Sequence, residues 1–432
     1  MTRTTERIRE GRAKYLWPSM RHLYAEPLTL DRGEGVWVWD TDGREYLDLY
    51  AGILTTSLGH CHPRLIEAVE GQARRLGHVS TLYETEPHVE AARRVADLAP
   101  GGLERTFFTN SGTEAIETAV FLARAVTGRR EVVALRGGYH GRSALGMGLT
   151  AHPTFRSLPA PANGVVHARA PYPYRCPFRR PCDETCVDRL VEELEEVIVT
   201  TTDGRPAALL AETIQGVSGY IVPPQGYLRR AAELVRSYGG LFIADEVQAG
   251  LGRTGSHWFG VEHDGVVPDI LVMAKGLAGG FPAGSTTTTD EIAQAWSGNT
   301  ISTFGGNPVA MAALSATLDV LVEHDAPTNA EARGRELWSG LEALRAEHPW
   351  IGEVRGKGLM VGMEVVRDRE SRDPDPDRTA ALVDAAREEG LLVGAGGLHG
   401  NVIRIGPSLL ISAGEVAEGV ERMVRACARV SR

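Results

Sequence analysis

Two short apolar runs, each ending in a charged residue, constrain this sequence most. Leu241-Phe242-Ile243-Ala244 stops at Asp245 and Glu246, and Asp269-Ile270-Leu271-Val272-Met273-Ala274 stops at Lys275. Runs this short, apolar and rich in β-formers read as buried strands. Open α/β sheets bind ligands beyond the carboxyl ends of their strands, so an acid and an amine at two neighbouring ends would face one crevice. A buried structural ion pair is the plain alternative. Between the runs, Gly250, Gly252 and Gly255 match G-x-G-x-x-G. That pattern cradles a dinucleotide when its last glycine opens a helix. Here the aromatic, glycine-terminated Ser256-His257-Trp258-Phe259-Gly260 follows, which argues against NAD.

The same grammar recurs along the chain. Arg105-Thr-Phe-Phe-Thr109 reads as a strand, Asn110-Ser111-Gly112 as a turn, and Thr113 to Arg124 as a helix. Free N–H groups and the positive dipole end at that helix start make an anion site, with an ordinary Ser/Thr cap as the alternative. Val132 to Leu135 leads to Arg136-Gly-Gly-Tyr139-His140-Gly141, where glycines on both sides of Tyr139 suit a ring displayed to stack on a flat heterocycle. Ala207 to Ala211 ends in Glu212. Strand, helix, strand repeats of this kind predict an α/β fold with a mainly parallel sheet. The apolar helix from Asn307 to His324 is fit to join two domains, and the expected division is 1–64 for an arm and part of a small domain, 65–316 for the large domain and 317–432 for the rest of the small one. Arg404 stands inside the β-branched run Val402 to Ile405. Burying it is costly unless an anion meets it, and its planar fork suits a carboxylate; a structural acid is the alternative.

Composition narrows the class. With 46 Lys and Arg against 56 Asp and Glu in 432 residues, the net charge is −10, which gives no footprint for nucleic acid. No apolar run approaches the length of a membrane span, and MTRTTERIREGR has no signal-like apolar region, so the expected location is cytoplasmic. The five cysteines are Cys61, Cys176, Cys182, Cys186 and Cys427, too few and odd in number for a disulfide framework. Three of them share the Pro-rich loop YRCPFRRPCDETC, but a fourth ligand and paired C-x-x-C spacing are missing, so no metal site is expected.

Taken together, the motifs closely resemble the class-III (ω-amino acid) aminotransferases, pyridoxal 5'-phosphate enzymes of fold type I. The resemblance covers roughly residues 30–430 in the family's order: Gly59-His60-Cys61-His62-Pro63, Ser111-Gly112-Thr113-Glu-Ala, Tyr139-His140-Gly141, Glu212-Thr-Ile-Gln-Gly, Asp245 with Val247-Gln248, Ala274-Lys275-Gly276 and Arg404-Ile-Gly-Pro-Ser-Leu. It implies a large domain around a central sheet and a smaller α+β domain drawn from both termini. It also implies that Lys275 forms the Schiff base, Asp245 binds the pyridine nitrogen and Tyr139 stacks on the ring, with His140, Val247 and Gln248 nearby. Ser111, Gly112 and Thr113 form the phosphate cup, joined by Thr303 of a neighbouring subunit, hence a homodimer. Glu212 is placed near the ring hydroxyl, able to pair with Arg404, the substrate carboxylate anchor. Tyr50, Ile53 and Leu54 are candidate pocket walls. Thr213 and Ser408 stand where the family carries proline, and Leu54 where β-alanine:pyruvate-type members carry Trp. The implied reaction moves an amino group from an amino acid or ω-amine to pyruvate, glyoxylate or 2-oxoglutarate, as in alanine–glyoxylate and β-amino acid:pyruvate transaminases. Racemases and phospho-lyases of the same family share the lysine and are the alternative.

Overall fold

Alternation within the apolar runs sets the architecture. In the computed structural model, residues 3–156, 163–176, 178 and 184–431 are described. An amino-terminal hairpin has strands β1 (Leu30–Glu34), β2 (Trp37–Asp40) and β3 (Glu45–Asp48). The central strands are β4 (Arg105–Thr109), β5 (Val132–Leu135), β6 (Val165–Ala168), β7 (Ala208–Glu212), β8 (Leu241–Asp245), β9 (Ile270–Met273) and β10 (Gly284–Thr288). They form one sheet in the order β4-β10-β9-β8-β7-β5-β6, parallel except for β10, which runs against both its neighbours. Successive residues of a strand face opposite ways. Val133, Leu135, Leu209, Phe242, Ala244 and Leu271 enter one core, and Val132, Ala134, Leu210, Ile243, Ile270 and Val272 the other. Both faces are therefore covered, as a parallel sheet requires. The helix Gly112–Thr127 buries Ile116, Ala119 and Val120 on one side, and Glu184–Thr201, Tyr227–Ser237 and Pro308–Glu323 close the other.

The carboxyl-terminal third contributes β11 (Ile351–Lys357), β12 (Met360–Val365), β13 (Leu391–Leu392), β14 (Gly394–Gly396) and β15 (Val402–Ile405). Four of them make a sheet in the order β11-β12-β15-β14, which seats Arg404 between Gly362 and Gly394. β13 instead pairs in parallel with β3, so both ends of the chain share a sheet. The G-x-G-x-x-G match is explained by packing: no helix opens at Gly255, and a 3-10 turn, Gly260–Asp264, follows later. A Cβ at Gly252 would sit 3.0 Å from Pro327, and one at Gly255 2.9 Å from Glu331.

Candidate active site

Strand register brings the charged groups together. β7 and β8 place Glu212 opposite Asp245, and β8 and β9 place Asp245 opposite Val272, just before Lys275. The three side chains meet at the carboxyl edge of the sheet and line a cavity of about 320 Å³. Ser111, Gly112 and Thr113 line it from the helix start, Tyr139 and His140 from the end of β5, and Val247 and Gln248 from the turn after β8. All ten residues expected around the cofactor from this chain's own strand and helix ends thus share one cavity.

Each group has a physical reason for its state. Asp245, 5% exposed, accepts at 2.8 Å from or shares a proton with His140 Nδ1 and takes the Val247 N–H at 3.1 Å. His140 is therefore a direct partner of the acid, and its buried Nε2 has no hydrogen-bond partner. Glu212 accepts from the Tyr139 N–H and the Gly216 N–H, both at 2.8 Å. Burial first, then the neighbouring Asp245, push its carboxyl above the usual range. Burial likewise draws the Lys275 amine below the ordinary lysine range; Asp245 and Glu212 oppose this, and Arg404 adds to it. Lys275 also has a φ of +46°, a left-handed conformation unfavourable for a residue with a side chain.

The helix start is built for an anion. Ser111 caps it by accepting the Glu114 N–H at 3.2 Å, so the cap and the anion site are one structure. The first N–H groups, at Gly112 and Thr113, have no preceding turn to bond. A Cβ at Gly112 would lie 3.3 Å from Ala274 and 3.4 Å from Val247, so glycine permits this close packing beside Lys275. Tyr139 is braced edge to face by Phe155 at 5.1 Å. Gln248 carries a buried Oε1 without a partner.

Of the expected substrate residues, Glu212 lines this cavity, whereas Arg404, Tyr50, Ile53 and Leu54 do not. Arg404, 6% exposed, donates to the Tyr50 hydroxyl and to the carbonyls of Ala395 and Gly216. The expected pairing of Glu212 with Arg404 is corrected: both Glu212 oxygens are held by backbone N–H groups, and among the described residues no acid forms an ion pair with Arg404. Ile53 is 47% exposed, whereas Leu54 is buried with Ile214 and Tyr220. Thr303 is exposed and does not line its own chain's cavity. Thr55, Asn110 and the loop Gly280-Phe281-Pro282-Ala283 line the cavity without having been singled out; the glycines of that loop signal a close approach of backbone, and nothing local says to what. In the cysteine loop, the sulfurs of Cys176 and Cys186 lie 3.5 Å apart, and Cys182 is outside the described residues.

Comparison with known proteins agrees with this geometry. The model of the class-III aminotransferase family matches residues 20–427. Alanine–glyoxylate aminotransferase 2 homolog 2, mitochondrial, of Arabidopsis thaliana is 41% identical over 417 residues, covering 96% of this chain and 86% of its own. The crystal structure of a thermostable (S)-enantioselective omega-transaminase from Thermomicrobium roseum superposes with a TM-score of 0.91 at 37% identity, covering both chains completely at 100%. An omega-transaminase from Pseudomonas jessenii, solved in complex with PMP, gives a TM-score of 0.91 at 30% identity over 98% of each chain.

Proposed function

This chain belongs to the class-III aminotransferases, and from that premise we propose that it holds pyridoxal 5'-phosphate on Lys275 and transfers an amino group from an amino acid or ω-amine to a 2-oxo acid such as pyruvate, glyoxylate or 2-oxoglutarate. The family uses this cofactor, and the donor set fits it. The cavity offers an amine, a buried acid–imidazole pair, an aromatic wall and a helix start for a phosphate, while the buried, unpartnered Gln248 Oε1 and His140 Nε2 are polar atoms awaiting a ligand. The observation that carries the reading is the meeting of Asp245 and Lys275 at adjacent parallel strand ends in one cavity.

When bound, the cofactor supplies an electron-withdrawing ring joined to an aldehyde carbon that stores the amino group between half-reactions. Asp245, fixed by His140, would hold a proton at the pyridine nitrogen. Lys275, whose amine is easier to deprotonate than an ordinary lysine's, would be the base that moves a proton between the donor's carbon and the cofactor's carbon. The N–H groups of Gly112 and Thr113, with Ser111, hold the phosphate; Tyr139 and Val247 orient the ring. Glu212, tied to two N–H groups and with its carboxyl raised above the usual range by burial and by Asp245, would sit near the ring hydroxyl. Arg404 anchors the substrate carboxylate.

A homodimer completes this reading. Exposed Leu82, Tyr83, Ile301 and Phe304 lie on loops joined by the Thr81–Ser302 hydrogen bonds and the His78–Phe304 ring contact. Thr303, on the same exposed surface, would serve the neighbouring subunit's site. The sheet shared by both ends of the chain supports the division at 1–64, 65–316 and 317–432. Among the described residues no helix is long and apolar enough to cross a membrane. The low cysteine count supports a reducing compartment such as the cytoplasm, although the Arabidopsis relative is named as mitochondrial.

The test is a pair of half-reactions. Amine donors should convert the loaded enzyme to its amino form, and pyruvate, glyoxylate or 2-oxoglutarate should convert it back. Racemisation or phosphate release without that interconversion would overturn the reading.

A further inference from the structure

Arg404 is held along one edge of its guanidinium. Nε and Nη2 donate to the Ala395 carbonyl at 3.2 and 3.0 Å, and Nη2 also donates to the Tyr50 hydroxyl. Nη1 has a long 3.4 Å contact with the Gly216 carbonyl. A carboxylate docks best on two parallel N–H donors, but the Nε–Nη2 edge already faces a carbonyl. Nη1 is left as the open end. A phenol is both donor and acceptor. Because the Tyr50 oxygen accepts from Arg404, its own hydrogen is free to point away from the guanidinium.

The pair lies in a built site. Its floor is the Gly-Ala-Gly strand β14, in which Gly394 pairs with Arg404. A Cβ at Gly394 would sit 2.2 Å from the Tyr50 ring, and one at Gly396 2.6 Å from Arg404 Nε. Two missing side chains on one face of β14 thus make room for one ring and one guanidinium. Tyr50 is fixed from the other side too. Asp48 Oδ1 accepts the N–H groups of Tyr50 and Ala51, both at 2.9 Å, and Asp48 Oδ2 meets His60 Nε2 at 2.9 Å. Tyr50 then starts a left-handed turn, with φ of 49°, 60°, 70° and 59° at Ala51, Gly52, Ile53 and Leu54. L-residues resist that conformation, Ile most of all, so the turn persists because both ends are held: Asp48 at one, and Leu54, packed on Gly406, at the other.

We propose that Tyr50 is a specificity-determining residue, the second donor of the substrate carboxylate site: Arg404 Nη1 takes one carboxylate oxygen and the Tyr50 hydroxyl the other. This rests on the reading of Arg404 as carboxylate anchor and deepens it. The pair adjoins the cofactor cavity through backbone: the Gly216 peptide meets Arg404 Nη1 at its carbonyl and donates its N–H to Glu212 at 2.8 Å, and Ser57, just after the Tyr50 turn, donates to the Gly276 carbonyl beside Lys275 at 2.8 Å.

Propanoate, a carboxylate without the reacting amine, is the probe, titrated by calorimetry into holoenzyme. In Tyr50→Phe its dissociation constant should rise about tenfold, with the cofactor absorbance and its pH profile unchanged. Gly394→Ala, which keeps the hydroxyl but displaces the ring that carries it, should give a similar loss. Arg404→Ala should weaken binding about a hundredfold. An unchanged dissociation constant in Tyr50→Phe, with the Arg404→Ala loss intact, would overturn the role of Tyr50 and spare the anchor. An unchanged value in Arg404→Ala would overturn the anchor itself. Loss of cofactor absorbance in Tyr50→Phe would mark a structural role and also overturn the proposal.

Discussion

The two halves of the active site are built on different principles. In the cofactor half, Glu212, Asp245 and Lys275 sit at the ends of neighbouring strands of one sheet, and partners from the same sheet and its turns satisfy both acids. In the half proposed for the substrate carboxylate, Tyr50 and Arg404 stand 354 positions apart, on a strained turn and on an outlying sheet, and meet against a bare glycine strand. The first half is preorganised electrostatics that moves with the sheet. The second is a non-local contact that a few substitutions can reshape. Such a separation would let the donor site change without disturbing the acid–amine pair.

The comparison breaks most visibly at Lys275. Lys275→Ala should lower the rate of the half-reaction by about 10³-fold or more, the scale of a lost acid–base group, while propanoate binding stays within about twofold. An equal loss of both would show that the halves are coupled. Asp245→Asn keeps the shape and removes the charge, so it should cost about 10²-fold in rate and weaken cofactor retention, as followed by absorbance titration. Arg404→Ala is the reciprocal case: kcat/KM for carboxylate donors should fall about 10- to 100-fold, the range of a charge-assisted hydrogen bond, with the bound-cofactor spectrum unchanged.

The remaining expected effect is on stability rather than rate, at the residue that follows Asp245. Glu246, 2% exposed, accepts the N–H groups of Gly260 and Val261 at 3.0 and 2.7 Å, and burial pushes its carboxyl up to about 8 from an ordinary 4.5. The folded protein therefore binds a proton that the unfolded chain has released. That contribution to stability is full below the unfolded value and is lost as pH rises through the folded one. Glu246→Gln cannot ionise, so its unfolding free energy should fall less than the parent's between about pH 5 and pH 9, by on the order of 3 kcal/mol in denaturant melts. Parallel curves would place the carboxyl in a wetter setting than the structure does.

What could be read from the sequence follows the same divide. Asp245, Lys275 and Gly112 were legible because each ends an apolar run or opens a helix, and Tyr139 because glycines flank it just beyond a strand, so local pattern and strand direction together point them at one crevice. The corrected partner of Glu212 was not, since which group satisfies a carboxylate depends on the turns after β5 and β7 closing on each other. Nor was the left-handed turn. Ala51-Gly52-Ile53-Leu54 has one glycine, and no local rule puts Ile53 at positive φ; the surrounding contacts impose it. Nor was the use of Gly394 and Gly396, which appears when Tyr50 and Arg404 are laid against them. The glycines of GLGRTG show the converse: a phosphate motif by pattern, they make room for Pro327 and Glu331.

The central claim is that one amine, beside one buried acid, holds the aldehyde of the cofactor. Its most direct test is borohydride reduction of the protein incubated with pyridoxal phosphate, followed by peptide mapping. A single hydride-fixed pyridoxyl adduct on Lys275, absent from Lys275→Ala, is the result expected. An adduct on another lysine, or none in a folded protein that still transaminates, would contradict it.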